Sequence, residues 1–128
     1  MLAFKRSLEV RGIQILDPLM LFKAKCHNFA KLPNQKQRND KKHLLILLEI
    51  LPAHFRYMLE LALQHGHQDS DRSFLREVKF FRSFKKEKWV RRALSGLVVE
   101  LDSALPIERF RASGLPKLTR YTEKSWPA

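Results

Sequence analysis

Between Asp17 and Leu32 the apolar positions recur with helical spacing. At roughly 100° per residue, Leu21, Phe22, Phe29 and Leu32 gather on one side, and Lys25 sits among them, within about 60° of each. Lys23 and Lys31 fall on the opposite side. Asp17-Pro18 supplies the start signal: an Asp side chain accepts hydrogen bonds from free N–H groups, and proline fits the first turn, where its missing donor is not needed. The pattern predicts a helix from Pro18 to about Leu32.

A polar loop, "PNQKQRND", separates it from a second helix that begins near Asn39 or Asp40. That helix is apolar on nearly all sides through Leu51, which predicts a central buried position, and Pro52 is expected to kink or restart it. "PAHFRYMLELALQ" continues the periodicity until Gly66. Asp69 or Ser70 can cap a third long segment, where Phe74, Val78, Phe81, Val90, Leu94, Leu97 and Leu101 keep helical spacing and Ser95-Gly96 predicts a break. Pro106 starts a short helix through about Ala112. "KLTRYTEKSWPA" reads as a polar tail with Tyr121 and Trp126 as anchors.

Before these helices, "LEVRGIQIL" (residues 8–16) carries β-branched residues in partial alternation and reads as one strand, or a hairpin arm near Gly12. A lone strand leaves its backbone ladder unsatisfied, so it is expected to extend a sheet supplied by another chain or by residues preceding Met1. The fold predicted is mainly α, four to five helices preceded by one short strand, in a single domain over 1–128. Its segments are a strand at 1–16, a helical hairpin at 17–65, a basic helical segment at 70–112 and a tail at 113–128.

Composition narrows the setting. With 128 residues and 45% apolar content the chain can bury a core. The single Cys26 cannot form an internal disulfide, which points to a reducing, cytoplasmic compartment and a buried structural thiol. No signal-peptide pattern opens the chain, and the longest apolar block, "LLILLEIL", is far shorter than the roughly 20 residues of a membrane span. Twenty-five Lys and Arg against 13 Asp and Glu leave a charge of +12, which favours polyanions such as RNA or single-stranded DNA, or an acidic partner protein.

The candidate chemistry centres on Lys25 and Asp40. Asp40 heads the stripe of Leu44, Leu47, Leu51 and Met58, so if the first two helices pack as a hairpin both charges border one cleft. The residues alone leave two readings: an N-cap aspartate beside a lysine that snakes its ammonium out to water, or a paired site that meets an anion.

The order of these residues resembles the C-terminal part of the nucleotidyltransferase-like proteins of the AbiEii toxin type. In that family a strand leads through a short turn into a helix carrying a lysine; a basic loop follows, and an Arg-x-Lys-Asp-x-x-Asp-Leu stretch opens the next helix. Over residues 8–50, Lys25, Arg38, Asp40 and Leu44 occupy the corresponding places. Asn39 stands where the family has lysine, and His43 where it has the second aspartate. The resemblance implies an α+β nucleotidyltransferase fold of which this chain is the C-terminal part. Lys25 and Arg38 would then bind the nucleotide's triphosphate, and Asp40 would orient Lys25 or assist deprotonation of the acceptor hydroxyl. It implies a nucleoside triphosphate and magnesium in a complete member, the metal held by a Gly-Ser turn and an Asp-x-Asp or Asp-x-Glu pair on preceding strands. The sequence has no Gly-Ser, and its one Asp-x-Asp, Asp69-Ser70-Asp71, follows Asp40. The chain is therefore expected to be inactive alone and to complete a segment encoded before Met1.

Two further patterns remain. "HGHQDSD" places His65, His67, Asp69 and Asp71 at alternate positions, and the expectation is solvent-exposed residues between helices with no metal site. From Arg72 to Arg92, nine Lys or Arg face only Glu77 and Glu87. Arg76, Lys79, Arg82, Lys85, Lys86, Lys88 and Trp89 are the candidate nucleic-acid contacts, with Phe80, Phe84 and Trp89 available to stack on unpaired bases. His27 and His54 have no serine or cysteine partner at a diagnostic spacing.

Overall fold

A computed structural model describes residues 7–10, 13–31, 39–65 and 68–127. Two strands, β1 (Ser7–Val10) and β2 (Ile13–Leu16), pair antiparallel with Ser7 opposite Leu16 and Val10 opposite Ile13. Instead of one strand seeking an outside sheet, two short strands satisfy part of each other's ladder. Gly12 lies outside the described residues.

The rest is helical, as the periodicity predicts: α1 (Pro18–Lys31), α2 (Asp40–His65), α3 (Gln68–Ser83), α4 (Lys88–Leu97), α5 (Ile107–Arg111) and α6 (Pro116–Ser125). Tight 3-10 turns occupy Phe84–Lys86 and Leu101–Ala104. The first helix starts as read. The Asp17 carboxylate accepts the Leu19 N–H at 2.8 Å, and its carbonyl accepts the Leu21 N–H at 2.9 Å. The loop residues 32–38 and Gly66-His67, to which the helix ends were assigned, lie outside the described residues.

Three features depart from the pattern. The second helix runs through Pro52 without interruption. Proline forfeits one backbone hydrogen bond there, and the stripe of Leu44, Leu47, Leu51, Phe55, Leu59 and Ala62, buried on both sides of Pro52, holds the helix in register across it. Among the described residues that stripe, flanked by the partly buried Leu48 and Met58, is the face α2 buries, and Leu45, Ile46 and Ile50 are exposed; the expected burial on nearly all sides is corrected. Asp69 and Ser70 do not cap α3, which begins at Gln68 and places both in its first turn.

The third long segment breaks at Phe84–Glu87, well before Ser95-Gly96. Phe84 is buried against Phe80 and Phe81, with ring centroids 5.2 and 5.7 Å apart, and the chain tightens and turns extended at Glu87 to bring α4 onto α1. Gly96 stays helical, facing the Phe29 ring, whose nearest atom would lie 3.5 Å from an added Cβ. The helix stops at Leu97, and its C-cap Val98 takes a left-handed conformation with φ 55°.

The expected tail is α6, begun by Pro116 in its first turn. Few apolar residues mark it; Leu118 and Thr122 alone are fully buried. Its start is held from a distance. The buried carboxylate of Asp71 accepts the Lys117 N–H at 2.9 Å and the Leu118 N–H at 3.2 Å, capping a helix 46 residues later in the chain.

Aromatic rings run through the core. Phe22 on α1 meets Phe81 on α3 at 5.7 Å, Phe81 meets Phe55 on α2 at 5.3 Å, and Phe55 meets Phe110 on α5 at 6.4 Å, mostly edge-on, as the ring quadrupole favours. Cys26 belongs to this core, and burial pushes its thiol up to about 12, so it is protonated and inert at neutral pH.

Candidate functional site

The packing of α1 along α2 brings Lys25 and Asp40 together. Lys25 Nζ lies 3.5 Å from Asp40 Oδ1; the Asp40 side chain is 1% exposed and that of Lys25 24%. The cap of α2 is Asn39 rather than Asp40, for the Asn39 carbonyl accepts the His43 N–H at 3.0 Å and Asp40 is the first helical residue. Asn39 has φ 58°, a left-handed conformation that asparagine tolerates and lysine does not favour.

Asp40 stands at the start of α2, the end where the helix dipole presents positive potential, and Lys25 faces it from α1. One turn on, His43 has its Nδ1 enclosed with no hydrogen-bond partner among the described residues. Arg38, the other expected triphosphate ligand, lies outside the described residues.

The basic segment divides into two parts. Arg82 is built into the fold: its Nε and Nη2 donate to Asp102 at 3.2 and 3.3 Å, its Nη1 donates to the Tyr121 hydroxyl at 2.8 Å, and its guanidinium lies 4.4 Å from the Trp126 ring centroid. Lys85 donates to the same Asp102 carboxylate at 2.7 Å, and so does the Trp126 indole N–H, at 3.0 Å. Burial would push the Asp102 carboxyl up. The hydrogen bonds from Lys85, Arg82 and Trp126 and the charge of Arg82 outweigh it and hold the group below the usual carboxylate range. Tyr121 and Trp126 are thus the expected anchors, and Arg82 and Lys85 are committed to holding them.

Arg76, Lys79 and Lys86 are exposed, Lys79 lying 5.4 Å from the Tyr121 ring centroid. Phe84 is in the core and cannot meet a base, and Phe80 packs against it. Trp89 is different. Its half-buried indole stacks on the His27 imidazole of α1, centroids 5.7 Å apart and planes 19° from parallel. Lys88, Arg92 and Lys31 place their charges 4.9, 5.1 and 5.8 Å from its ring centroid.

Lys88, Arg91, Arg92 and Ser95 line a shallow depression of about 390 Å³ on the outer face of α4. Arg91 and Arg92 were not among the sequence-selected contacts. Their spacing with Lys88 and Ser95, i, i+3, i+4 and i+7, is the signal that finds them, because it places all four on one helical face. Lys31 and His27, which join them from α1, carry no such signal.

His65 and Asp69 line a separate cleft of about 390 Å³ floored by Met58, Ala62 and Phe74, while Asp71 turns away to cap α6; His67 lies outside the described residues. Among the described residues no three His, Cys, Asp or Glu side chains converge as a metal site would require, and no helix is long and apolar enough to cross a membrane. No family model matches the chain, and no curated protein or solved structure is significantly similar to it.

Proposed function

We propose that the chain is the helical C-terminal portion of a nucleotidyltransferase-like protein of the AbiEii toxin type, in which Lys25 binds the triphosphate of a nucleotide and Asp40 positions it. The observation that carries this reading is the asymmetry of the pair. Asp40 is buried and fixed at the head of α2, whereas Lys25 keeps a quarter of its side chain in solvent, at 24%. One side of the ammonium is thereby anchored while its remaining N–H donors are free to meet phosphate oxygens.

The residues present do not fit the magnesium of a nucleotidyltransferase. The sequence has no Gly-Ser, Asp71 is spent on capping α6, and the role of this chain is limited to binding and positioning. The test is to read the DNA upstream of the Met1 codon and to express the whole reading frame. A segment encoding Gly-Ser followed by Asp-x-Asp, with nucleotide transfer abolished by Lys25→Met, is expected. Upstream sequence without such motifs in any frame, or transfer indifferent to Lys25→Met, overturns the reading.

A second reading, a basic helical module that binds nucleic acid or an acidic protein, is favoured by the outer face of α4. Among the described residues no carboxylate pairs with Lys88, Arg91 or Arg92.

A further inference from the structure

We infer that the Lys88, Arg91, Arg92 and Ser95 face of α4, with the adjoining Trp89 indole, is a binding site for single-stranded RNA, phosphates lying on the cations and an unpaired base on the indole. This rests on the second reading and narrows it from the whole basic segment to one helix. Three observations carry it.

The first is that these charges stand where a helix least favours them. Lys88 opens α4 and Arg91 and Arg92 follow within a turn, at the end where the backbone N–H groups already present positive potential, and no acidic residue occupies that first turn. Glu87, which precedes the helix, makes no side-chain cap to it and pairs with Lys23 at 3.3 Å. Three exposed cations and Ser95 therefore line one depression on the outer face of α4.

The second is the contrast with the neighbouring cations. Asp102 neutralises Arg82 and Lys85, whereas among the described residues no carboxylate forms an ion pair with Lys88, Arg91 or Arg92, although Glu100 and Asp102 share a depression with Arg91. The third is Trp89. Its stacking on His27 fixes the ring's plane, and three cations surround it. A fixed aromatic platform among cations suits an unpaired base with its phosphates and has no use for a paired duplex, whose bases are already stacked.

The experiment uses the 128-residue chain and a labelled oligouridylate of about 12 nucleotides, with binding followed by fluorescence anisotropy at about 50 and about 200 mM salt. The triple variant Lys88→Glu, Arg91→Glu, Arg92→Glu is compared with a charge-matched one, Arg72→Glu, Arg120→Glu, Lys124→Glu. Glutamate in the first turn of α4 favours the helix, so lost binding is not lost folding, and circular dichroism checks this. The α4 triple is expected to weaken binding about tenfold or more and the control less than about threefold. Trp89→Ala should weaken it further and Trp89→Phe restore it. In a Trp126→Phe background, where Trp89 is the remaining indole, RNA should quench the fluorescence. No binding by the unaltered chain overturns both this site and the nucleic-acid half of the second reading. Equal losses from the two triples leave diffuse charge and overturn the site alone. Equal or tighter binding to duplex RNA or to anionic lipid vesicles, or no response to Trp89→Ala, also overturns it.

Discussion

Lys25 Nζ reaches across from α1 to within 3.5 Å of Asp40 Oδ1 at the first residue of α2, although 15 residues separate the two in sequence. The pair joins a carboxylate removed from water to a cation that is only partly removed. Such a pair contributes through the cost of breaking it more than through the Coulomb attraction itself, since a buried carboxylate that loses its cation keeps its desolvation penalty. Lys25→Met, which preserves most of the stem's volume, should therefore destabilise the fold by about 1–3 kcal/mol in urea unfolding. In a double-mutant cycle with Asp40→Asn the coupling should exceed about 0.5 kcal/mol. Additive effects would show that the lysine is held by the packing of its stem alone.

The cap that Asp71 provides to α6 makes a sharper structural prediction. Two backbone N–H groups at the buried start of a mostly polar helix depend on one carboxylate. Asp71→Ala removes both acceptors and should cost about 2–3 kcal/mol. Hydrogen exchange should accelerate first at Lys117 and Leu118, ahead of the amides of α2. Uniform acceleration across the chain would mean that α6 has no local stability of its own.

That cap also shows where the sequence stops being legible. Helices α1 and α2, the buried Cys26, and the core positions Phe74, Val78, Phe81, Val90 and Leu94 follow from spacing alone, because each helix buries a stripe with its own period. The Lys25–Asp40 pair was legible too, from one charge set inside an apolar stripe and another at the head of one. Helix α6 was not: its ten residues offer little periodicity, and what holds them is Asp71 and Asp102, 46 and 24 residues from their partners Lys117 and Trp126. The break at Phe84 was hidden for the opposite reason. Its apolar spacing from Phe81 continues a helical pattern, and only packing between α1 and α4 demands a turn there. The charge run over 72–92 read as one surface, whereas the fold spends Arg82 and Lys85 on Asp102 and leaves the α4 cations outside.

Val98 ends α4 in a conformation that suits glycine. At φ 55° its Cβ crowds its own carbonyl, and the β-branched side chain is 90% exposed, so it gains nothing from packing. The turn is fixed by the Val98 N–H bonding the Ser95 carbonyl and the Val99 N–H bonding the Leu94 carbonyl, both backbone contacts that glycine keeps. Val98→Gly should raise stability by about 1 kcal/mol, the relief of left-handed strain exceeding the added flexibility of the unfolded chain. Thermal unfolding decides it; a lower melting temperature would show that the strain is relieved within the turn.

Asp102 gives the fold its predicted acid sensitivity. Its carboxylate collects Lys85, both nitrogens of the Arg82 fork and the Trp126 indole, joining α3, the turn at Leu101–Ala104 and the end of α6. Because the folded-state value lies below the ordinary one, the unfolded chain binds the proton more readily as pH falls. The stabilisation is therefore fully present above the unfolded aspartate value of about 3.9 and is lost as the pH falls toward and through the lower folded value. Asp102→Asn keeps the shape but loses the charge, and should cost about 2 kcal/mol at pH 7. Urea midpoints measured from pH 7 to about pH 3 should then converge, the unaltered chain losing more stability on acidification than the variant, with the convergence confined to the region below about pH 4. Parallel curves would mean that Asp102 contributes hydrogen-bond geometry without charge.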